Sequence, residues 1–285
     1  MLLQFADANS DLSSSYFVIF GVPFDGTSSY RHGSKFAPDE IRKASYNLES
    51  YLLEHDFDMR SVRTHDMGNI GTLDEFGDVR EVIDTVYSTF ISLKDKFPIM
   101  LGGEHSITIG AAKFLKEKMD DVGIIFIDAH ADFRDEYLGN KYSHACVARR
   151  AYEYMRGKII SIGVRSASKE ESIDAKKLGY QWISSYDFME KGWKDSIEEA
   201  LEILNVEKIY LSIDIDGIDP SYAPGTGTPE YFGLKPIDVK RIIKFLGRKL
   251  IGADIVEICP PCDNGNTAVL GARLVQEIIA AASTP

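Results

Sequence analysis

Two apolar runs in this chain end in bursts of acid. One is Gly123-Ile-Ile-Phe-Ile-Asp-Ala-His-Ala-Asp132; the other is Ile209-Tyr-Leu-Ser-Ile-Asp-Ile-Asp-Gly-Ile-Asp219. Each places ligand-type groups at every second residue: Asp128, His130 and Asp132 in the first, Asp214 and Asp216 in the second. Residues two apart on a strand point to the same face. Each burst therefore aims its groups at one spot beyond a strand end. Carboxylates held so close repel strongly unless a cation sits between them. The chemistry these spacings point to is metal binding. Two more pieces can reach the same edge: His105, after the flexible pair Gly102-Gly103, and Glu257, which ends Gly252-Ala-Asp-Ile-Val-Glu257.

The candidate ligands are then four aspartates, Asp128, Asp132, Asp214 and Asp216, and two histidines, His105 and His130. Four carboxylates match two divalent cations in formal charge. Asp128 and Asp214, one from each burst, could bridge them. With carboxylate and imidazole but no thiolate, the set favours Mn²⁺, Mg²⁺, Fe²⁺ or Zn²⁺, with Mn²⁺ most natural for an oxygen-rich site. Two such ions about 3.5–4 Å apart bring the pKa of a bridging water toward neutrality. Taken singly, each group has a plainer reading. Asp214-x-Asp216-Gly-x-Asp219 alone could be a calcium loop or a capping run, although no glutamate stands at loop position twelve. His105 alone could be a satisfied loop histidine. Their coincidence at corresponding strand ends is what carries the metal reading.

The elements that must position these groups alternate from end to end. Strands are predicted over 16–22, 62–67, 98–101, 123–128, 159–164, 181–183, 209–215 and 250–258, from apolar runs and β-branching. Helices are predicted over 38–54, 77–96, 106–119, 146–156, 169–178, 186–205, 235–247 and 266–282. Residues 1–14 are polar and serine-rich and read as a loose lead-in. Several strands are apolar throughout, as in a mostly parallel sheet of eight strands covered by helices on both faces. No linker or fixed-period repeat interrupts residues 1–285, so the expectation is one α/β domain. In such sheets ligands bind beyond the carboxyl ends of the strands, where all the acid bursts fall.

Bulk composition narrows the partners. The net charge is −12, from 44 acids against 32 bases. That argues against nucleic acid or an anionic membrane, both of which need a basic face. It permits a small cationic ligand. The three cysteines, Cys146, Cys259 and Cys262, do not make a disulfide framework. Cys259-Pro-Pro-Cys262 has CxxC spacing, but no second pair exists, and ordinary packing thiols are the expectation. No signal pattern and no apolar run of the ~20 residues needed to span a bilayer is present, so the cytoplasm is the expected location.

Gly102-Gly-Glu-His-Ser106, Asp128-Ala-His-Ala-Asp132 and Ser212-Ile-Asp-Ile-Asp-Gly-Ile-Asp-Pro220 resemble the three signatures of the ureohydrolase family, which comprises arginase, agmatinase and relatives. Ala223-Pro-Gly-Thr-Gly-Thr-Pro229, which contains Thr228, is similar to that family's substrate loop, and Glu257 matches its late glutamate. The likeness runs from about residue 20 to the C-terminus. It implies a three-layer α/β/α fold with a parallel eight-stranded sheet, a dimanganese cluster, and trimers or hexamers. By motif, His105, Asp128, Asp132 and Asp214 would hold one ion, and Asp128, His130, Asp214 and Asp216 the other. Water activated by the ions would attack a guanidinium carbon, and urea would leave. A carboxylate reads a guanidinium by paired hydrogen bonds, and Glu257 is the natural partner. His144 aligns with the family's mobile acid/base histidine, a role suited to imidazole. His32 lies in a loop that the resemblance places near the mouth.

The substrate is read from the 133–143 stretch. It lacks the Ser-Gly-Asn and His-Gly run with which arginases hold an α-carboxylate, and offers Asp135 and Glu136 beside Arg134 and Lys141. The Pro-Gly-Thr-Gly-Thr-Pro loop is more typical of agmatinases. Glu230-Tyr-Phe-Gly233 departs from the two adjacent glycines of many relatives. Agmatine, hydrolysed to putrescine and urea, is the expected substrate, with guanidinobutyrate and arginine next. A metal-dependent deacylase and an inactive scaffold of the same fold are the competing classes. Metal content separates them: two ions per chain, one, or none.

Overall fold

The structure, a computed structural model, describes residues 3–71 and 77–283. In chain order its elements are β1 (Phe17–Val22), α1 (Ala37–Ser45), β2 (Tyr51–Leu52), β3 (Phe57–Asp58), β4 (Thr64–Asn69), α2 (Val79–Ser92), β5 (Phe97–Gly102), α3 (Thr108–Lys118), β6 (Val122–Ile127), α4 (Val147–Met155), β7 (Ile159–Val164), α5 (Lys169–Leu178), β8 (Trp182–Ser184), α6 (Ser185–Lys191), α7 (Trp193–Leu204), β9 (Lys208–Asp214), α8 (Pro236–Leu246), β10 (Leu250–Val256) and α9 (Asn266–Ser283). Eight strands form one sheet in the order β4-β1-β5-β10-β9-β6-β7-β8. Every pairing in it is parallel, so the sheet is wholly parallel. β2 and β3 make a small antiparallel hairpin beside it.

The strands are apolar on both faces because both faces are covered. All six residues of β6 are buried. Its Ile125 and Ile127 pack into a core shared with α1, α6, α7, α8 and α9. Ile124 and Phe126 pack into the opposite core with α2, α3, α4 and α5. The result is the expected three-layer sandwich. The chain passes from β5 to β6 over the gap that β10 and β9 later fill. Crevices at the carboxyl ends of strands around such a reversal are where open parallel sheets bind ligands.

Three expectations are corrected. The helix expected over 38–54 ends at Ser45. The Ser45 hydroxyl donates to Arg42 O at 2.6 Å, and the Tyr46 N–H bonds Lys43 O in a tighter closing turn. The helix expected over 186–205 is two helices, broken at Gly192, whose φ of 86° and ψ of 164° lie outside the helical region. The lead-in is packed, not loose, although residues 1 and 2 lie outside the described residues. Phe5 and Ala8 are buried, and Phe5 N–H donates to Asp66 Oδ2 at 2.7 Å. Backbone bonds to β4 fix it further: Asp66 N–H donates to Ala8 O and Ser10 N–H to Thr64 O, both at 3.0 Å. Among the described residues no helix is long and apolar enough to cross a membrane.

Candidate metal centre

β5, β10, β9 and β6 lie side by side in the sheet, and their carboxyl ends deliver His105, Glu257, Asp214 and Asp128. The route differs from the expected one. Only Asp214 belongs to a strand. β6 ends at Ile127, so Asp128, His130 and Asp132 lie on the loop beyond it. Asp128 Oδ1 accepts from His130 N–H at 2.6 Å, and Asp132 has a φ of 46°. Asp216 is carried by a 3₁₀ turn, Ile215–Gly217, whose start is capped by Asp214 Oδ1 accepting from Asp216 N–H at 2.9 Å. The groups therefore converge through side-chain-capped turns. The alternation of an extended strand is not what brings them together. Gly217 is required where the two bursts meet, since a Cβ there would stand 2.8 Å from Asp128 N.

His105 Nδ1 is buried and makes no hydrogen bond. It nevertheless lies 3.1 Å from Asp214 Oδ2, 3.3 Å from Asp128 Oδ2 and 3.5 Å from Asp132 Oδ2. A buried nitrogen without a hydrogen-bond partner, facing three carboxylate oxygens, is the donor set of a divalent cation. Among the described residues, two groups have ligand atoms within 4.8 Å of one another: His105, Asp128 and Asp132, and Asp128, His130 and Asp216. Asp128 belongs to both. His130 Nδ1 lies 2.9 Å from Asp216 Oδ2. All six candidate ligands are thus brought together, in an arrangement that fits a pair of cations.

The electrostatics show what a cation would relieve. Burial, with Asp132 next, pushes Asp128 from 3.8 up to about 7. Burial, Asp216 and Asp128 raise Asp214 well above the usual carboxylate range. Burial also opposes charge on His105, but Asp128, Asp132 and Asp214 outweigh it and raise that imidazole. Asp216 is lowered despite its burial, because the His130 imidazole faces it.

Sequence reasoning missed the groups behind His105. Its Nε2 lies 3.0 Å from the Ser212 hydroxyl, which donates to Asp254 Oδ1 at 2.6 Å. Asp254 Oδ2 accepts from Tyr210 OH at 2.9 Å and Thr108 Oγ1 at 3.0 Å. With its proton spent on Asp254, the Ser212 oxygen accepts from Nε2–H, which leaves the Nδ1 lone pair free for a cation. A signal existed: Asp254 is an acid in the middle of an otherwise apolar strand.

Glu257, His144 and Thr228 line one pocket with the cluster. Glu257 is buried with a φ of 63°. That left-handed conformation ends β10 and leaves Oε1 to accept from His105 N–H at 2.7 Å. Thr228 Oγ1 donates to Asp216 Oδ2 at 3.2 Å. Arg134 lines the same pocket, its guanidinium 3.3 Å from Glu171 Oε2. Asp135 and His32 are not brought there. Asp135 is half exposed and pairs with Arg150 at 2.7 Å and Lys141 at 3.5 Å. The His32 carbonyl accepts from Cys259 Sγ at 3.4 Å, and the residue is exposed. All three cysteines are free thiols, and burial pushes Cys259 far above the range in which a thiolate forms.

Comparison with known proteins finds relatives over almost the whole chain. The N(1)-aminopropylagmatine ureohydrolase of Thermococcus kodakarensis is 41% identical over 265 residues, covering 91% of this chain and 88% of that protein. The agmatinase of Pyrococcus horikoshii is 35% identical over 272 residues, covering 94% and 93%. The crystal structure of the agmatine ureohydrolase of Thermoplasma volcanium superposes with a TM-score of 0.92 at 48% identity, covering 99% of this chain and 94% of that one. Residues 15–281 match the arginase family, and the chain belongs to that family of ureohydrolases.

Proposed function

We propose that the protein hydrolyses the guanidino group of agmatine, releasing urea and putrescine, with two divalent ions held by His105, Asp128, His130, Asp132, Asp214 and Asp216. The observation that carries this is the bare His105 Nδ1 among three carboxylates, in one pocket with Glu257 and His144. A pair of divalent ions supplies water of near-neutral pKa and an electropositive field. The donor set of carboxylate and imidazole suits Mn²⁺.

The remaining work falls to the chain's own groups. Asp128 belongs to both ligand groups and orients the reacting centre. Glu257 accepts hydrogen bonds from the planar guanidinium and turns its carbon toward the cluster. His144 takes a proton from the attacking water and returns it to the departing nitrogen. Thr228 holds Asp216, and through it His130, in place. Agmatine is favoured over arginine because Arg134, the pocket's arginine, is paired with Glu171 at 3.3 Å, which leaves it no free guanidinium for an α-carboxylate. The family's habit supports a homo-oligomer, trimer or hexamer, in the cytoplasm.

The test is urea release by the Mn²⁺-loaded protein from agmatine, N(1)-aminopropylagmatine, guanidinobutyrate and arginine, with metal counted per chain. Agmatine is expected to give the highest kcat/KM at two ions per chain. No urea from any of the four, or preference for arginine, would overturn the reading.

A further inference from the structure

Two groups beside the pocket have no part in the reaction as described: Thr27, on the loop after β1, and Glu104, just before His105. Glu104 is fully buried. Its Oε2 accepts from Thr27 N–H at 2.7 Å, and the Ser28 hydroxyl lies 3.4 Å away. Its Oε1 accepts from the Thr27 hydroxyl at 2.5 Å and from the Ser106 hydroxyl at 2.6 Å. The Thr27 loop is fixed over the end of β5. Gly103 N–H donates to Val22 O at 2.9 Å and Glu104 N–H to Phe24 O at 2.8 Å. A Cβ on Gly103 would stand 1.8 Å from Phe24 O, so glycine is needed for this crossing.

Thr27 Oγ1 also accepts from His144 N–H at 2.9 Å and lies 3.2 Å from His144 Nδ1. A hydroxyl has one proton and two lone pairs. Its proton points at Glu104, and one lone pair takes the His144 backbone N–H. The remaining lone pair can only accept, so the Thr27 contact favours Nδ1 as the nitrogen that carries hydrogen. Ser143 Oγ, 3.3 Å from the same nitrogen, can accept from it as well. Nε2 is left with its lone pair, 3.4 Å from the Ser29 hydroxyl in the wall of the pocket that holds Glu257 and Asp132.

We propose that Thr27, anchored by Glu104, is a positioning residue that holds His144 in the Nδ1–H tautomer and presents Nε2 to the substrate. The inference rests on the reading of His144 as the proton carrier. A carboxylate behind a hydroxyl behind an imidazole is the order that steadies an imidazolium, as an aspartate does in the serine-hydrolase triad. When Nε2 accepts the proton of the attacking water, the positive ring faces the Thr27 oxygen and the Glu104 carboxylate. The same Nε2–H then gives its proton to the departing nitrogen, and the ring returns to its starting tautomer.

The direct test is ¹⁵N NMR of the ring nitrogens in histidine-labelled protein with Mg²⁺. The chain has six histidines, and loss of one pair of signals in His144→Ala assigns the resonances. The wild type is expected as Nδ1–H. Thr27→Val should move the population toward Nε2–H, while Thr27→Ser, which keeps the hydroxyl, should restore it. In urea release from agmatine, Thr27→Val should lower kcat about tenfold with little change in KM, and Thr27→Ser should recover most of that loss. A wild-type Nε2–H ring would overturn the proposal, and so would a Thr27→Val variant with unchanged tautomer and kcat. Failure of the underlying reading looks different: His144→Ala would then keep full kcat whatever tautomer the wild-type ring shows.

Discussion

Ser212 and Asp254 face one another across the β9–β10 pair, and the hydroxyl of the first donates to the carboxylate of the second at 2.6 Å. This contact orients His105, because the same hydroxyl lies 3.0 Å from His105 Nε2. Ser212→Ala leaves a buried Nε2–H without an acceptor and frees the ring to flip or change tautomer. Removing such an outer partner lowers metal affinity by about 10–100-fold. Mn²⁺ affinity, measured by competition with a chelating dye, checks this without reference to turnover. An unchanged affinity would mean that Ser212 merely fills space.

Asp128 is shared by both ligand groups and is raised to about 7 by burial and by Asp132. Asp128→Asn removes a charge that the metal-free fold tolerates poorly. The metal-free variant should therefore melt no lower than the metal-free wild type. The rise in Tm on adding Mn²⁺ should largely vanish, whereas a wild type at about a hundred times its Kd gains about 2.7 kcal/mol. Calorimetry with and without Mn²⁺ measures both. A full Mn²⁺-induced rise in the variant would remove Asp128 from the ligand set.

The same shift sets the pH dependence. Asp128 in the metal-free fold holds its proton up to about 7, while in the unfolded chain it gives it up near 3.8. A carboxyl raised on folding contributes stability that is fully present below the lower value and lost as pH climbs through the upper one. The metal-free protein should therefore lose melting temperature between about pH 4 and about pH 7, and Mn²⁺ should raise Tm more at the higher pH. Tm measured across that range, with chelator and with Mn²⁺, gives the two curves. Parallel curves would mean that the cluster does not take up protons when empty.

Asp135 was a substrate-binding candidate from its place after the first acid burst. In the fold it is half exposed and tied to Arg150 and Lys141, and these partners lower its pKa, Arg150 most. Asp135→Asn should leave the KM for agmatine within about twofold and alter stability by no more than about 1 kcal/mol, as for exposed ion pairs. A large rise in KM would return it to the binding site.

These cases mark what the residues disclosed and what they withheld. The alternation of apolar strands and amphipathic helices made the sandwich legible, because both faces of a parallel sheet must be covered. The groups that converge were legible from type and clustering, but the strand geometry assumed to gather them is not what the fold uses. Asp128, His130 and Asp132 sit on a loop, and Asp216 on a 3₁₀ turn, held where the N–H groups of His130 and Asp216 donate to Asp side chains two residues before them. Period-two spacing matched those turns by coincidence. Asp135 was read from its place in the 133–143 stretch and His32 from a loop that the resemblance sets near the mouth, and neither fixes where a loop residue points. Thr27 carried no local signal, since its partners Glu104 and His144 lie 77 and 117 residues away. The break at Gly192 and the early end at Ser45 were overridden in the sequence reading by the helical apolar pattern around them.

Glu257 ends its strand with a φ of 63°, a conformation that costs a residue with a Cβ about 1–2 kcal/mol. Burial, and then Glu104, raise its carboxyl well above the ordinary range. The position is thus strained in backbone and charge, as functional positions often are. Glu257→Ala and Glu257→Gly both lose the carboxylate and its bond to His105 N–H. They differ in that glycine adopts this φ freely. The glycine variant should therefore be the more stable of the two by about 1 kcal/mol, the reverse of their usual order, and both should be inactive on agmatine. Urea denaturation of the two metal-free variants side by side gives the difference. An alanine variant as stable as the glycine one would show that the backbone at 257 relaxes once the side chain is gone, and that the carboxylate itself holds the turn.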